Sequence, residues 1–179
     1  MSRIGRAPIT IPNGVTVSVA NNKVTVKGPL GQLEKEYDSR ITIVVENNQV
    51  LLSRSSDDKE VRALHGLYRA LVQNMVTGVV KEFEKALVVS GVGYKMAING
   101  KKLVMNIGFS HPVEIEAPQG ISFALPAPLE LVVKGIDKEL VGQIAATIKL
   151  KKPVEPYHGY GIHYKDEVVL RKEGKKAGK

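Results

Sequence analysis

The sequence predicts an α+β fold: two duplicated small domains, each a mostly antiparallel sheet covered by one helix, plus a basic C-terminal tail. Three observations carry this. Two stretches repeat each other, short runs alternate apolar with polar residues, and each set of runs leads to one segment with apolar residues three and four apart. The repeat is plainest where Val50-Leu-Leu-Ser-Arg-Ser-Ser-Asp-Asp-Lys-Glu-Val61 lies against Leu129-Glu-Leu-Val-Val-Lys-Gly-Ile-Asp-Lys-Glu-Leu140 without a gap, at an offset of seventy-nine residues. Both read as an apolar strand, a short break, then Asp-Lys-Glu opening a helix. The same offset sets Lys23-Val-Thr-Val26 against Lys102-Leu-Val-Met105. Duplication explains this better than chance, because the order of elements recurs and not only a tripeptide.

Taken in order, Val15, Val17 and Val19 alternate with polar residues, and Ile41, Ile43 and Val45 continue the period of half-buried strands, less cleanly because Val44 intervenes. Asn21-Asn22, Asn47-Asn48 and Asn99-Gly100 fall between such runs and suit tight hairpin turns, since Asn and Gly tolerate positive φ. Val61, Leu64, Tyr68, Leu71, Met75 and Val79 then mark one face of a helix of about twenty residues, with Asp57 or Asp58 placed to cap it and Glu60 near its positive end. The helix gives way near Glu82 to the strand-like Ala86-Leu-Val-Val. A shorter helix carries Leu140, Val141, Ile144, Ala145 and Ile148, and Pro153 stops it. The expected divisions are residues 1–81, 82–152 and a tail, 153–179.

Charge points to a partner. The chain carries a net charge of +8, and five of those eight positive charges belong to Lys149 to Lys179. The tail opens with Lys149, Lys151 and Lys152 and then alternates rings with glycines through Tyr157, His158, Gly159, Tyr160, Gly161, His163 and Tyr164. Cations neutralise phosphates, rings stack on unpaired bases, and glycine lets backbone approach a polyanion. A lysine-rich end also serves plain solubility, and Lys172 to Lys179 alone fit that reading. The ring-bearing block does not. The candidate nucleic-acid contacts are therefore Lys149, Lys151, Lys152, Tyr157, His158, Tyr160, His163, Tyr164, Lys165, Arg171, Lys172, Lys175 and Lys176. Truncation after Ile148 is expected to remove this surface and leave the fold largely intact.

Other classes find little support. No apolar run is long enough to span a bilayer, the start has no signal-like apolar region, and a cytosolic location without membrane contact is expected. With no cysteine, thiolate catalysis and zinc-ribbon ligation are excluded. His65 lies on the first predicted helix, where packing is the ordinary role. His158 and His163 lack a third ligand. His111 directly follows Ser110, a spacing that denies the nucleophile-and-base geometry of acyl transfer. Gly91-Val-Gly93 and Gly159-Tyr-Gly161 lack the third glycine of a phosphate-binding loop, and the first pair reads as a bulge or close crossing in a strand. Neither an enzymatic role nor a cofactor is expected.

Several stretches resemble a known family: Met1-Ser-Arg-Ile-Gly-Arg-Ala-Pro-Ile, Val26-Lys-Gly-Pro-Leu-Gly31, Gly91-Val-Gly-Tyr94, Gly108-Phe-Ser-His-Pro112, and Pro153-Val-Glu-Pro-Tyr157 with Gly159, Gly161 and Tyr164. In this order they look like bacterial ribosomal protein L-six of the large subunit. The resemblance implies a structural, non-enzymatic, cytoplasmic component of the ribosome. Its implied partners are large-subunit rRNA, bound chiefly through the C-terminal half and tail, and neighbouring ribosomal proteins. It also implies a place near the sarcin-ricin loop and stalk base, where translational GTPases dock. The family's tail motif falls on Pro153 to Tyr164. Where the family carries lysines after Pro-Tyr and around the glycines, and an Arg before the final Tyr, this chain has His158, Tyr160 and His163. A freestanding RNA- or DNA-binding factor is the alternative with the same electrostatics.

Overall fold

Four asparagines set the first hairpins. Asn21 and Asn22 have φ of 49° and 59°, and Asn47 and Asn48 have 48° and 61°, the left-handed pair that a two-residue turn needs to match strand twist. The computed structural model describes residues 4–175, which fall into two compact units, the first made of the residues up to Glu82 together with the short piece Ile136–Lys138, the second of Phe83–Gly135 and the residues from Glu139 on. In the first unit the strands are β1 (Ile9–Thr10), β2 (Thr16–Ala20), β3 (Lys23–Gly28), β4 (Gly31–Glu36), β5 (Ile41–Glu46) and β6 (Gln49–Arg54), followed by α1 (Lys59–Gly78).

These strands form two antiparallel sheets, ordered β2-β3-β4 and β1-β6-β5. Alternation turns Val24, Val26, Ile41, Ile43, Val50 and Leu52 inward, where Val61, Val72, Met75, Val76 and Val79 close the core. Helix α1 packs against β3, β5 and β6, so one helix covers strands from both sheets. Val45 departs from the expected alternation and lies 39% exposed, next to the end of its strand, where the hairpin leaves the core. Asp58 takes the N-cap position but makes no side-chain cap bond. Its carboxylate accepts instead from Ser56 Oγ at 2.6 Å, while Asp57 pairs with Arg54. His65 is a core residue: it is 3% exposed, its Nε2 lies 3.0 Å from the Leu52 carbonyl, and a Cβ on Gly5 would come within 2.5 Å of its ring.

Outside this core, Arg40 ties the β4–β5 connection to α1. Its guanidinium donates to Asp38 at 2.8 and 3.0 Å and to Glu60 at 3.2 Å, and the Arg40 N–H donates to Asp38 at 2.9 Å. These bonds, the side-chain ones first, hold the Asp38 carboxyl down at about 2, below its ordinary 3.8. A depressed folded-state value stabilises above the unfolded value and is lost as pH falls through the folded one. The difference in Tm between the wild type and Asp38→Asn should therefore be present at pH 6 and shrink between about pH 4 and pH 2. The effect is small, because the pair is exposed and solvent-screened. A gap unchanged down to pH 2 would show that the Asp38 charge contributes nothing.

The second unit repeats the plan. It contains β7 (Phe83–Ser90), β8 (Lys95–Asn99), β9 (Lys102–Asn106), β10 (Val113–Glu116), β11 (Ile121–Ala127), β12 (Glu130–Gly135), α2 (Lys138–Lys151) and β13 (Gly161–Tyr164). Strands β3 and β9 begin at Lys23 and Lys102, and helices α1 and α2 at Lys59 and Lys138, so both pairs keep the offset read in the sequence. The sheet orders are β10-β9-β8 and β11-β12-β7-β13, and β7, β12 and β11 repeat the arrangement of β1, β6 and β5. The turn into β9 is Gly100-Lys101, one residue later than expected, with Gly100 at φ 62°. Gly91 to Gly93 form the turn between β7 and β8 and not a bulge within a strand. Gly93 has φ 74°, and Gly91 lies under the Tyr94 ring, where a Cβ would meet it at 2.3 Å.

Strand β13 is what the first unit lacks among its described residues. It pairs antiparallel with β7, Gly161 with Ser90 through Tyr164 with Leu87, and Ile162 is fully buried with Leu87, Val89, Leu131 and Ile148. The expectation that truncation after Ile148 spares the fold is overturned, because the cut would remove an edge strand and a core side chain.

Candidate nucleic-acid interface

Pro153 ends α2 because its ring cannot continue the helical bonding, and the chain turns back at once. Pro153 bridges in parallel to Ile162, Ile162 N–H donates to the Lys152 carbonyl at 2.8 Å, and Glu155 N–H donates to Tyr160 at 2.9 Å. The segment from Glu155 to Tyr160 is thus a closed loop standing on β13. Gly159 is buried at φ 77°, and the Arg171 guanidinium lies where a Cβ would be, at 2.7 Å from Nε. Lys172 N–H donates to the Pro156 carbonyl at 2.7 Å, so the chain after β13 returns along the ring-bearing loop.

This geometry sorts the thirteen candidates. His158 and Tyr160 stack on each other, with centroids 5.4 Å apart and planes 17° apart, and the His158 ring also meets Glu155 at 3.0 Å. Tyr157 stands beside them, 56% exposed. Tyr164 is turned to the protein: its ring lies between Lys85 Nζ at 5.0 Å and Lys149 Nζ at 4.8 Å. His163 is half-buried, with Nδ1 2.9 Å from the Tyr164 carbonyl. Lys149 donates to Glu167 at 2.6 and 2.7 Å, and Lys165 donates to Glu130 at 2.6 Å. Lys149, followed by the Tyr164 N–H, holds the Glu167 carboxyl below its ordinary range. Among the described residues no carboxylate is paired with Lys151, Lys152, Arg171, Lys172 or Lys175. Lys176 lies outside the described residues.

Sequence reasoning missed three acidic partners and one ring. Glu130, Asp166 and Glu167 neutralise Lys165, Lys85 and Lys149, and the Lys152 ammonium sits 4.7 Å over the Phe109 ring. Phe109 lies in a motif quoted for resemblance alone, and nothing in the spacing puts it beside Lys152. Among the described residues no group of His, Asp and Glu could hold a metal ion, and no helix is long and apolar enough to cross a membrane.

The profile of the family described as ribosomal protein L6 matches residues 11–82 and 90–165, one stretch in each half. The chain belongs to the ribosomal protein L6 family. Its relatives include the large ribosomal subunit protein uL6 of Clostridium botulinum, 56% identical over 176 residues, which are 98% of this chain and 98% of that protein. The protein of the same name from Clostridium kluyveri is likewise 56% identical over 98% of each chain. In this L6-family chain two tail glycines are structural parts, Gly159 against Arg171 and Gly161 against Pro153 and Val154.

Proposed function

We propose that the protein is a structural, non-enzymatic constituent of the large ribosomal subunit that binds large-subunit rRNA through its second unit and C-terminal residues. The observation that carries this is the sorting of cations. Lys149 and Lys165 are spent on carboxylates, whereas among the described residues Lys151, Lys152, Arg171, Lys172 and Lys175 have no acidic partner, and Arg171 and Lys172 lie against the loop of exposed rings. Such a surface gains affinity by releasing counterions from phosphates and by stacking on splayed bases of folded RNA. The anchored loop lowers the ordering cost of binding. On this reading the protein works in the cytoplasm on the ribosome, beside other ribosomal proteins, near the sarcin-ricin loop and stalk base where translational GTPases dock. Cosedimentation with large subunits through a high-salt sucrose gradient, followed by crosslinking and mapping of the bound nucleotides, tests it. Release from the subunits at high salt would favour a freestanding factor, and crosslinks far from the stalk base would refute the placement.

The same sorting separates neighbouring lysines. Lys151→Ala should weaken rRNA binding and flatten the dependence of log affinity on log salt by roughly 0.7–0.9 unit, because its ammonium is open to a phosphate. Lys149→Ala should leave that slope unchanged and lower Tm, since it removes the partner of Glu167. Equal slope changes in the two variants would refute the division into occupied and available cations.

A further inference from the structure

Between β9 and β10 the chain passes through Gly108 to Pro112, and there it displays a ladder of rings outside the tail. Phe109 is 46% exposed. The His111 ring stacks beside it, with centroids 6.2 Å apart and planes 16° apart, and Lys152 Nζ lies 4.7 Å from the Phe109 centroid. The base of the loop is fixed. Ile107 is fully buried, and Gly108, at φ 78°, lies so close to the Tyr94 ring that a Cβ would come within 3.2 Å. A large ring held in water on an anchored loop, with a cation at its face and a second ring beside it, has the parts of a stacking platform for single-stranded nucleic acid.

We infer that Phe109, His111 and Lys152 form a second RNA contact, in which the rings take an unpaired base and the ammonium meets a nearby phosphate. This rests on the rRNA-binding reading and adds a site to it. Lys152 joins the two, since its backbone carbonyl accepts from Ile162 at the foot of the tail loop while its ammonium covers Phe109. The chemistry favours RNA over a protein partner, because the ladder pairs ring faces with an ammonium that has no acidic partner among the described residues.

The test compares Phe109→Ala and Phe109→Trp with the wild type, using deproteinised large-subunit rRNA as the probe. Phe109→Ala should bind about 5- to 100-fold more weakly with an unchanged salt slope, since a neutral ring releases no counterion. It should also lose protection at one unpaired nucleotide while keeping the protections that depend on the tail. Phe109→Trp, which keeps a stacking face, should bind like the wild type. Both variants should melt as the wild type does. The inference is overturned if Phe109→Ala keeps full rRNA affinity while truncation after Val169 weakens it, which leaves the rRNA reading standing. It is also overturned if Phe109→Trp binds as weakly as Phe109→Ala, if Phe109→Ala alone melts lower, or if its only defect is retention on assembled subunits, the mark of a protein contact. Failure of the wild type itself to bind this rRNA would remove the reading on which the inference rests.

Discussion

Gly161→Ala should unfold the second unit at a temperature well below the wild type. Gly161 has φ 144°, a conformation that side chains other than glycine's hydrogen rarely adopt, and that backbone strain costs about 1–3 kcal/mol. Space is lacking as well. The new Cβ would lie 2.6 Å from Val154 Cα and 2.7 Å from the Pro153 carbonyl oxygen. Both are backbone atoms held by the Pro153 bridge to Ile162, so relief requires β13 to shift, and overpacking of this kind costs about 1–3 kcal/mol more. Thermal melts should show a loss of roughly 2–6 kcal/mol, combining the two. Gly142→Ala is the matched control, because Gly142 is exposed on α2 with nothing near its missing Cβ. It should gain about 0.5–1 kcal/mol from helix propensity. A Gly161→Ala protein that melts like the wild type would mean that β13 does not hold the sheet as described.

Truncation after Val169 should sharply weaken rRNA binding while leaving the melt close to that of the wild type. Residues 170–179 hold five Lys or Arg and one Glu, so the cut removes four of the chain's eight net positive charges. It spares β13, Ile162 and the Lys149 to Glu167 pair. If three of the lost cations meet phosphates, the log–log salt slope should fall by roughly 2–3 units. Truncation after Ile148 should lose binding and stability together, and the difference between the two cuts separates charge from scaffold. Unchanged rRNA affinity after the Val169 cut would move the binding surface elsewhere, with the Arg3 and Arg6 end of the sequence as the next place to look.

The alternation of Val15, Val17 and Val19 and the helical spacing from Val61 to Val79 made the strands and α1 legible, because both patterns are local. That each half splits its strands into two sheets was not legible, since alternation says which face a residue takes and not which strand it meets. Strand β13 was hidden for a different reason. Gly-Ile-His-Tyr has one aliphatic side chain among glycine and rings, and only the open edge of β7 makes it a strand. The basic character of the site could be counted along the chain. Which lysines remain available could not, because Glu130 and Lys165 meet through the sheet and Phe109 reaches Lys152 through the fold.

The edge position of β13 also sets an order of events during synthesis. Strand β1 finds its partner early, as Ile9 pairs with Val50. Strand β7 opens the second unit, yet its outer edge waits for Gly161 to Tyr164. A nascent chain can therefore bury the first core while the second still has an unpaired strand edge, the kind of surface on which chains pair wrongly. Its closing contact spans nearly the whole unit, a long loop to close and a slow one. The residues that complete the second core are thus made after every other strand of that unit.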